Sequence, residues 1–189
     1  MSVTERFAAA REHWISRYVQ ALEEYQRKYV PGGPEILLQL PDNGEPEAFR
    51  LYRVDLASGA TTPPNLSEVN VAFTPQFLPE RLSEMSGLEV VIEPFHWNGV
   101  EFLVEGIAAN HEALAAWCLR WIDKAESNPP DTYGLLGTIH SVTLPERRDD
   151  GVFFSVDFGT APVDAVQLLL ELLSSLGAKR VHIRSRRCL

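Results

Sequence analysis

The sequence predicts an α+β fold, in which a mainly antiparallel sheet carries helices on one face. The prediction rests on two similar segments, residues 97–105 and 149–157. In each segment a turn containing Gly leads into an alternating apolar strand that ends on a carboxylate. A stretch with helical spacing of apolar residues follows each segment. Strand, turn, strand and helix, repeated, is typical of a sheet with its helices packed on one side.

The first predicted element is a long amphipathic helix over residues 3–29. Ser2 and Glu5 have the spacing of a capping box, and apolar residues recur behind them at helical spacing. The Pro- and Gly-rich residues 31–34 end the helix. A helix of this length would extend roughly 39 Å. We therefore expect it either to wrap the sheet or to protrude toward another subunit.

A hairpin is predicted next, with strands at residues 35–40 and 48–56. The connection contains Asn43-Gly44, which suits a tight turn with positive φ. Residues 57–67 contain Gly and Pro and are predicted to form a loop, the best internal boundary. Because residues 1–56 supply only one helix and one hairpin, a single domain over residues 1–189 is favoured over two.

Residues 68–189 are predicted to form the repeated strand–strand–helix body. Its elements are a strand at 68–73, a helix at 79–86, a hairpin of strands 88–95 and 100–105, a helix from a cap at Asn110 to about 125, strands at 136–144 and 152–158, a helix at 162–176 and a strand at 181–185. A ferredoxin-like βαββαβ unit can be drawn over residues 68–144. Chance similarity of two hairpin-and-helix units is the alternative to a true repeat.

Composition narrows the classes of protein. The chain has 189 residues, 45% of them hydrophobic, and no apolar segment long enough to span a membrane. Glu5 and Arg6 occupy the region where a secretory signal would be apolar. Cys118 and Cys188 have neither disulfide nor metal-ligand spacing. We therefore expect a cytoplasmic protein.

The formal net charge of −9 is distributed unevenly. Residues 31–175 carry seven basic against 22 acidic side chains, whereas the last fourteen residues carry five basic side chains and no acidic one. An acidic body disfavours nucleic acid as the partner, because phosphate contacts dominate that affinity. It favours a protein partner, and a basic protein surface in particular. Solubility alone is the simpler explanation of the charge.

Strand alternation assigns side chains to two faces of the sheet. The face under the helices is predicted to hold Val100, Phe102, Val104, Val152, Phe154, Val156 and Phe158. The open face is predicted to hold the candidate binding residues Glu93, Glu101, Glu105, Asp157, His182 and Arg184. Carboxylates beside a histidine could serve acid–base chemistry or hold a divalent metal. Cross-strand ion pairs on a solvated sheet are the alternative. The pattern leaves His140 on either face.

His96 and Trp97, at the tip of the predicted hairpin 88–105, are a further candidate binding group. They could form an exposed recognition group or fold back over the helix ends. The sequence contains no glycine-rich phosphate loop, dinucleotide fingerprint, serine nucleophile elbow or paired-cysteine zinc motif. We therefore predict no catalytic residue, metal ligand or cofactor.

The sequence favours a cytoplasmic, non-catalytic domain that binds a protein through an acidic surface. An inhibitor or immunity-type protein is a narrower hypothesis that rests on charge alone. The first alternative is an enzyme or small-ligand binder, which requires a pocket where the polar groups of the open face converge. The second is a structural homo-oligomer, assembled through the long helix or the open face.

Overall fold

A computed structural model describes residues 2–28, 32–58, 65–69, 80–84, 87–108 and 111–185. Within these ranges three α-helices accompany a ten-stranded mixed sheet, so the α+β class is confirmed. The helices are α1 (Val3–Lys28), α2 (His111–Ile122) and α3 (Val163–Ser175). The strands are β1 (Gly32–Gln39), β2 (Leu51–Ser58), β3 (Asn65–Ser67), β4 (Glu80–Glu84), β5 (Leu88–Ile92), β6 (Val100–Glu105), β7 (Ser141–Val142), β8 (Glu146–Arg148), β9 (Gly151–Asp157) and β10 (Arg180–Arg184).

Helix α1 begins and ends where its sequence predicts, to within a residue. Its capping box is formed, since the Ser2 N–H donates to Glu5 Oε2 at 2.7 Å and the Glu5 N–H donates to Ser2 Oγ at 3.2 Å. Its buried residues run along almost its whole length, from Val3 to Tyr25. The helix therefore lies across the sheet and does not protrude from it.

The predicted hairpin of β1 and β2 is confirmed, because the two strands pair antiparallel. Their connection includes a short 3-10 helix, Glu47–Phe49. The predicted loop over residues 57–67 needs correction, since β3 lies within it and pairs with β2. Of the strand predicted at 68–73, residues 68 and 69 are not in a strand and residues 70–73 lie outside the described part of the chain, as do Asn110 and Cys188.

The helix predicted over residues 79–86 is wrong, because β4 occupies Glu80–Glu84. Strand β4 pairs antiparallel with β5 along its whole length. A helix of one or two turns has little stability by itself. Pairing with β5 instead supplies partners for the backbone groups of this segment, and tertiary context overrides its helical propensity.

The hairpin predicted for residues 88–105 is also wrong. Both strands exist, but β10 lies between β5 and β6, parallel to β5 and antiparallel to β6. The prediction assumed that strands close in sequence pair with each other. Strand β10, which pairs with both of them, comes instead from the other end of the body, roughly 75 to 90 residues along the chain.

The two similar segments become β6 and β9, which are direct neighbours in the sheet. Phe102 lies opposite Phe154, and their rings stack with centroids 5.2 Å apart. The order β7-β9-β6-β10 interleaves two units, β6-α2-β7 and β9-α3-β10. The predicted strand–strand–helix form of the repeat and the unit over residues 68–144 are not confirmed. In each unit the second strand follows the helix and does not precede it.

The second half of the body also differs in detail from the prediction. Of the strand predicted at residues 136–144, only β7 is regular. Residues 146–151, predicted as a connection, contain β8, which forms a tight hairpin with β9. Helix α3 and strand β10 lie where they are predicted, to within two residues.

The helices pack on the face of the sheet that the alternation predicts to be buried. All seven residues predicted for that face are at most 3% exposed. The indole N–H of Trp117 in α2 donates to the Ala165 carbonyl of α3 at 3.2 Å, which joins the two helices. Cys118 is fully buried, as its place in an apolar stripe predicts. Among the described residues, no helix is long and apolar enough to cross a membrane.

Candidate functional site

Five of the six residues predicted for the open face come together on the side of the sheet opposite the helices. We call this side, across β5, β6, β9 and β10, the outer face. Strand β10 contributes Arg180, His182 and Arg184. Because β10 lies between β5 and β6, this basic strand is flanked by strands that carry glutamates.

Each base of β10 has its own acidic partner. Arg180 bridges Glu89 at 2.9 Å and Glu105 at 3.1 Å. The hydrogen bonds of Arg180 lower the pKa of Glu89, and those of Glu89 and Glu105 raise the pKa of Arg180. The charges are matched strand to strand, as cross-strand pairs on a solvated sheet are.

Two further ion pairs involve β10. We call the whole series of ion pairs between β10 and its neighbouring strands the outer-face ladder. His182 Nε2 lies 2.7 Å from Glu93 Oε1, and Arg184 Nε lies 3.3 Å from Glu101 Oε2. The groups lie in separate pairs along β10 and do not converge on one point. Surface ion pairs of this kind contribute little to stability individually.

Asp157, the sixth residue, is not part of the ladder. It ends β9, and its Oδ1 accepts a hydrogen bond from the Gly159 N–H at 2.8 Å. Burial of the carboxyl raises its pKa to about 7, an effect that nearby His140 opposes and that the Asp55 charge reinforces. Asp157 therefore belongs electrostatically to a second group of residues, around His140.

Trp97 is not an exposed recognition group. It is 2% exposed, packs against Phe158 with the two rings tilted and their centroids 4.8 Å apart, and donates its indole N–H to the Gly159 carbonyl at 2.9 Å. His96 is half-buried, and both its burial and the neighbouring His13 lower its pKa. The aromatic pair folds back onto the body, the second of the two arrangements that the sequence allows.

A buried histidine cluster lies beneath α1, on the helical side of the sheet. His140 precedes β7, Glu35 is in β1 and Asp55 is in β2. The imidazole lies between the two carboxylates, with Nε2 3.1 Å from Glu35 Oε1 and Nδ1 3.0 Å from Asp55 Oδ1. The Nδ1 contact is poorly aligned for a hydrogen bond and is best described as an ion pair. Each of the three residues is 1% exposed.

Hydrogen bonds from three other residues satisfy the Glu35 carboxylate. Its Oε1 accepts from the hydroxyl of Thr138 at 3.2 Å and from the hydroxyl of Thr160. Its Oε2 accepts from the Leu136 N–H at 2.6 Å. This shell satisfies the carboxylate, as the cost of burying a charge requires.

Asp55 is held from two sides. Its Oδ2 accepts from the Val69 N–H at 2.6 Å, and its carbonyl accepts from the Tyr18 hydroxyl at 2.5 Å. The Tyr18 ring also meets the His140 ring edge to face, with centroids 6.3 Å apart. Helix α1 therefore closes the cluster on the side away from the sheet.

The surroundings make His140 a buried cation. Burial alone would lower its pKa, but the contacts with Asp55 and Glu35 outweigh burial and raise the pKa to about 10. Burial likewise favours the neutral form of Glu35, yet its hydrogen bond and attraction to His140 lower its pKa overall. At neutral pH the cluster holds an imidazolium between two carboxylates.

Arg53 braces the cluster from the side. Its guanidinium donates to the carbonyls of Glu35 at 2.7 Å, Ile122 at 2.9 Å and Asp123 at 2.8 Å. This residue is 2% exposed and joins β1 and β2 to the end of α2. Because its donors are used by backbone carbonyls, Arg53 acts as structural support.

This cluster was not predicted from the sequence, although the sequence contains one signal for it. Arg53 and Asp55 follow Phe49 and Leu51 on the same face of the predicted strand, and charged residues on an apolar face need buried partners. The neighbouring sequence does not indicate which residues those partners are. Glu35 and His140 are 105 residues apart in the chain.

The cluster is closed to substrates. Its three central residues are each 1% exposed. A separate cavity of about 30 Å³, which none of these residues lines, lies between α1, α3 and β5 and has a largely apolar lining that includes Phe7, Val90 and Leu170. Within the described ranges, no group of three or more His, Cys, Asp or Glu residues has the arrangement of a metal site. The charged groups of the cluster pair with one another inside the fold.

Comparisons with known proteins add no relative: no family model, curated protein or solved structure matches this chain.

Proposed function

We propose that this protein is a non-catalytic domain that binds another protein through its outer face. The observation that carries the proposal is the composition of that face. Ion pairs of β10 with its neighbours alternate there with the half-buried apolar side chains of Val91, Leu103 and Phe153. The three helices all lie on the opposite side. A broad face of mixed polarity resembles the surfaces that meet proteins, whereas small ligands favour concave apolar sites.

The charge of the outer face favours a partner that presents both signs. The carboxylates of Glu89, Glu101 and Glu105 already bind arginines of β10. A purely basic partner would have to compete with these arginines. The narrower hypothesis of an inhibitor or immunity-type protein therefore retains only the net charge of −9 as support.

An enzyme or small-ligand site on this face has less support. Such a site needs its acid, base and carboxylates within reach of one substrate. His182 instead engages Glu93, and Arg184 engages Glu101, in separate pairs.

A homo-oligomer is a second candidate, because the outer face carries both signs of charge and could pair with a second copy of itself. A monomeric mass in solution scattering would count against it.

We also propose that residues 100–184 form a ferredoxin-like unit. Apart from the short strand β8, which pairs only with β9, the chain order is β6-α2-β7-β9-α3-β10, and this order and the sheet order β7-β9-β6-β10 support the proposal. Nuclear Overhauser contacts between Val104 and Val181 are expected, because these residues are opposite each other in β6 and β10. Such contacts between β5 and β6 would instead support a local hairpin.

The protein-binding proposal can be tested with a matched pair of substitutions. Leu103→Glu places a charge at the centre of the outer face, whereas Leu119→Glu places one on α2, where Leu119 is already 37% exposed. Both variants and the unmodified chain would be used to capture partners from lysate at low and high salt, with quantitative mass spectrometry. We expect a partner that the wild type and Leu119→Glu retain and Leu103→Glu loses.

Equal capture of every partner by the two variants would exclude the outer face, and the absence of any reproducible partner would exclude protein binding.

The cytoplasm is the compartment we propose for this interaction, in keeping with Cys118, which is a buried free thiol.

A further inference from the structure

The register of the sheet arranges the side chains of the outer face in rows that cross the strands. Opposite residues in adjacent strands point to the same side of a sheet, so the middle row can be followed from β4 to β8. In order it consists of Arg81, Val91, His182, Leu103, Phe153 and Glu146. The rows on either side of it contain charged residues of the outer-face ladder: Glu89, Arg180 and Glu105 in one row, and Arg184 and Glu101 in the other.

Charges of opposite sign lie at equal distances from a line that runs between β10 and β6, parallel to both strands. Across this line Arg180 lies directly opposite Glu105. Arg184 lies opposite Glu101 in the same way. A half-turn about the line therefore exchanges each arginine of β10 with a glutamate of β6.

We propose that the partner of the outer face is a second copy of this chain, packed face to face about a two-fold axis along this line. The proposal rests on protein binding through the outer face and names the partner. In the dimer Arg180 of one copy lies over Glu105 of the other, and each such contact occurs twice. Two sheets stack in this way in β-sandwiches, with their planes roughly 10 Å apart.

The charged groups of the face have the capacity to bind a second copy. A guanidinium carries five N–H donors, and Arg180 already binds the carboxylates of Glu89 and Glu105 at once while its side chain stays partly exposed. At the edges of the dimer, Arg81 meets Glu146, because each lies on the third strand from the axis. Both of these side chains are exposed.

Apolar contacts lie between these charges. The half-turn places Val91 of one copy over Phe153 of the other, and Leu103 over His182. All four side chains are half-buried in the single chain. The Arg148 guanidinium, which lies 3.5 Å from the centroid of the Phe153 ring, has to turn aside. Burial of the apolar groups drives the association, and the charges on both sides set its orientation.

The charges select this axis over other ways of stacking the face on itself. A two-fold axis along the middle row, perpendicular to the strands, would place Arg180 over Arg184 and Glu105 over Glu101. An axis along β10 would place each arginine over its own counterpart, and an axis along β6 would do the same for the glutamates. Like charges in direct contact strongly disfavour an interface. Only the axis between β10 and β6 gives opposite charges in both rows.

Charge reversal in trans tests the dimer and its axis. Arg184→Glu places two glutamates face to face, and Glu101→Arg places two arginines face to face. We expect each variant alone to have a dimer dissociation constant more than about a hundredfold above the wild type. In an equal mixture the new glutamate faces the new arginine, so dissociation constants should return to within about tenfold of the wild type. Sedimentation velocity of the full chain at about 0.15 M salt measures these values.

The control mixture combines Arg184→Glu with Glu105→Arg. It contains the same charges, but the new glutamate still faces Glu101 and the new arginine faces Arg180, so we expect no recovery. Recovery in trans also shows that both variants are folded. A monomeric wild type, single variants that dimerise as the wild type does, or equal recovery in the control mixture would overturn the proposal. A monomeric wild type whose lysate partner is lost in Leu103→Glu would reject the second copy while protein binding by the outer face stands.

Discussion

Glu35 is the residue at which local and tertiary demands conflict. Its φ is 53°, in the left-handed region that costs an ordinary side chain roughly 1–2 kcal/mol. The register of β1 with β2 pairs residues on either side of it but not Glu35 with Asp55. Its carbonyl accepts from Arg53 instead, and its carboxylate binds His140. The charged contacts of the cluster offset the backbone strain.

Gly159 is the second residue whose conformation the cluster determines. Its φ is +45°, and a Cβ built there would lie 2.1 Å from Cδ2 of His140. Gly159→Ala should therefore lower the free energy of unfolding by about 3 kcal/mol, through overpacking against a ring that cannot move. Urea unfolding followed by circular dichroism measures the change.

Gly99→Ala is the control for that substitution. A Cβ at Gly99 meets nothing within 4 Å. We expect a change within about 0.5 kcal/mol for this variant. Equal stability of the two alanine variants would show that the His140 ring is not held where the structure has it.

At the scale of elements, the existence of a strand is local but its partner is not. Strands β6 and β9 were predictable because alternating Val and Phe residues between turns suit one buried face, and the buried face of each strand was assigned correctly. The neighbour of β6 on its other side, β10, lies at the far end of the chain. No local sequence pattern indicates that β6 pairs with β10.

Strand β4 is an element that the local sequence pattern did not predict. Its five residues, Glu80–Glu84, lack period-two apolar alternation, and a proline before them suggests a helix start. Pairing with β5 decided the outcome. Segments of this length carry too little intrinsic preference to resist a sheet edge that offers hydrogen bonds.

For helix α1, the capping box and the spacing of apolar residues were sufficient to predict the element. The contribution of the capping box to stability can be tested. Ser2→Ala removes the Oγ that accepts from the Glu5 N–H. We expect a loss of about 1 kcal/mol in the free energy of unfolding, the usual cost of deleting a serine cap. Ser16→Ala, at an exposed position within the same helix, should cost less than about 0.5 kcal/mol. Equal effects of the two substitutions in urea unfolding would contradict a role for the cap.

At the scale of the whole molecule, the buried cluster makes stability depend on pH. The pKa of His140 is raised to about 10 in the folded protein, from an ordinary value of 6.5. The folded state thus retains a proton that the unfolded state loses first, and stability falls as the pH rises from 6.5 toward 10. Between pH 7 and pH 9.5 we expect the free energy of unfolding to fall by roughly 1 kcal/mol per pH unit.

Two variants locate the source of that decrease. His140→Gln should be less stable throughout, because it leaves buried carboxylates unpaired, and its decrease with pH should be absent. His182→Gln, which alters only the outer-face ladder, should retain the wild-type slope. A wild-type stability that is constant from pH 7 to pH 9.5 would contradict an imidazolium at His140.

The outer face and the buried cluster differ in how far the sequence could predict them. Glu93, Glu101, Glu105, His182 and Arg184 were placed on one face by alternation alone. Their pairing, base by base, required the position of β10 between β5 and β6. The cluster was missed because its members come from segments up to 125 residues apart.

The sequence by itself determined the periodic features of this protein: the long capped helix, the hairpin of β1 and β2, and the buried faces of β6 and β9. These depend on neighbours within a few residues, where spacing and capping act directly. Only the tertiary structure decided the strand order, the place of Trp97 in the core and the burial of His140 between Glu35 and Asp55. Those outcomes depend on which distant segments share a core, because a buried charge is stable only where its partners meet it.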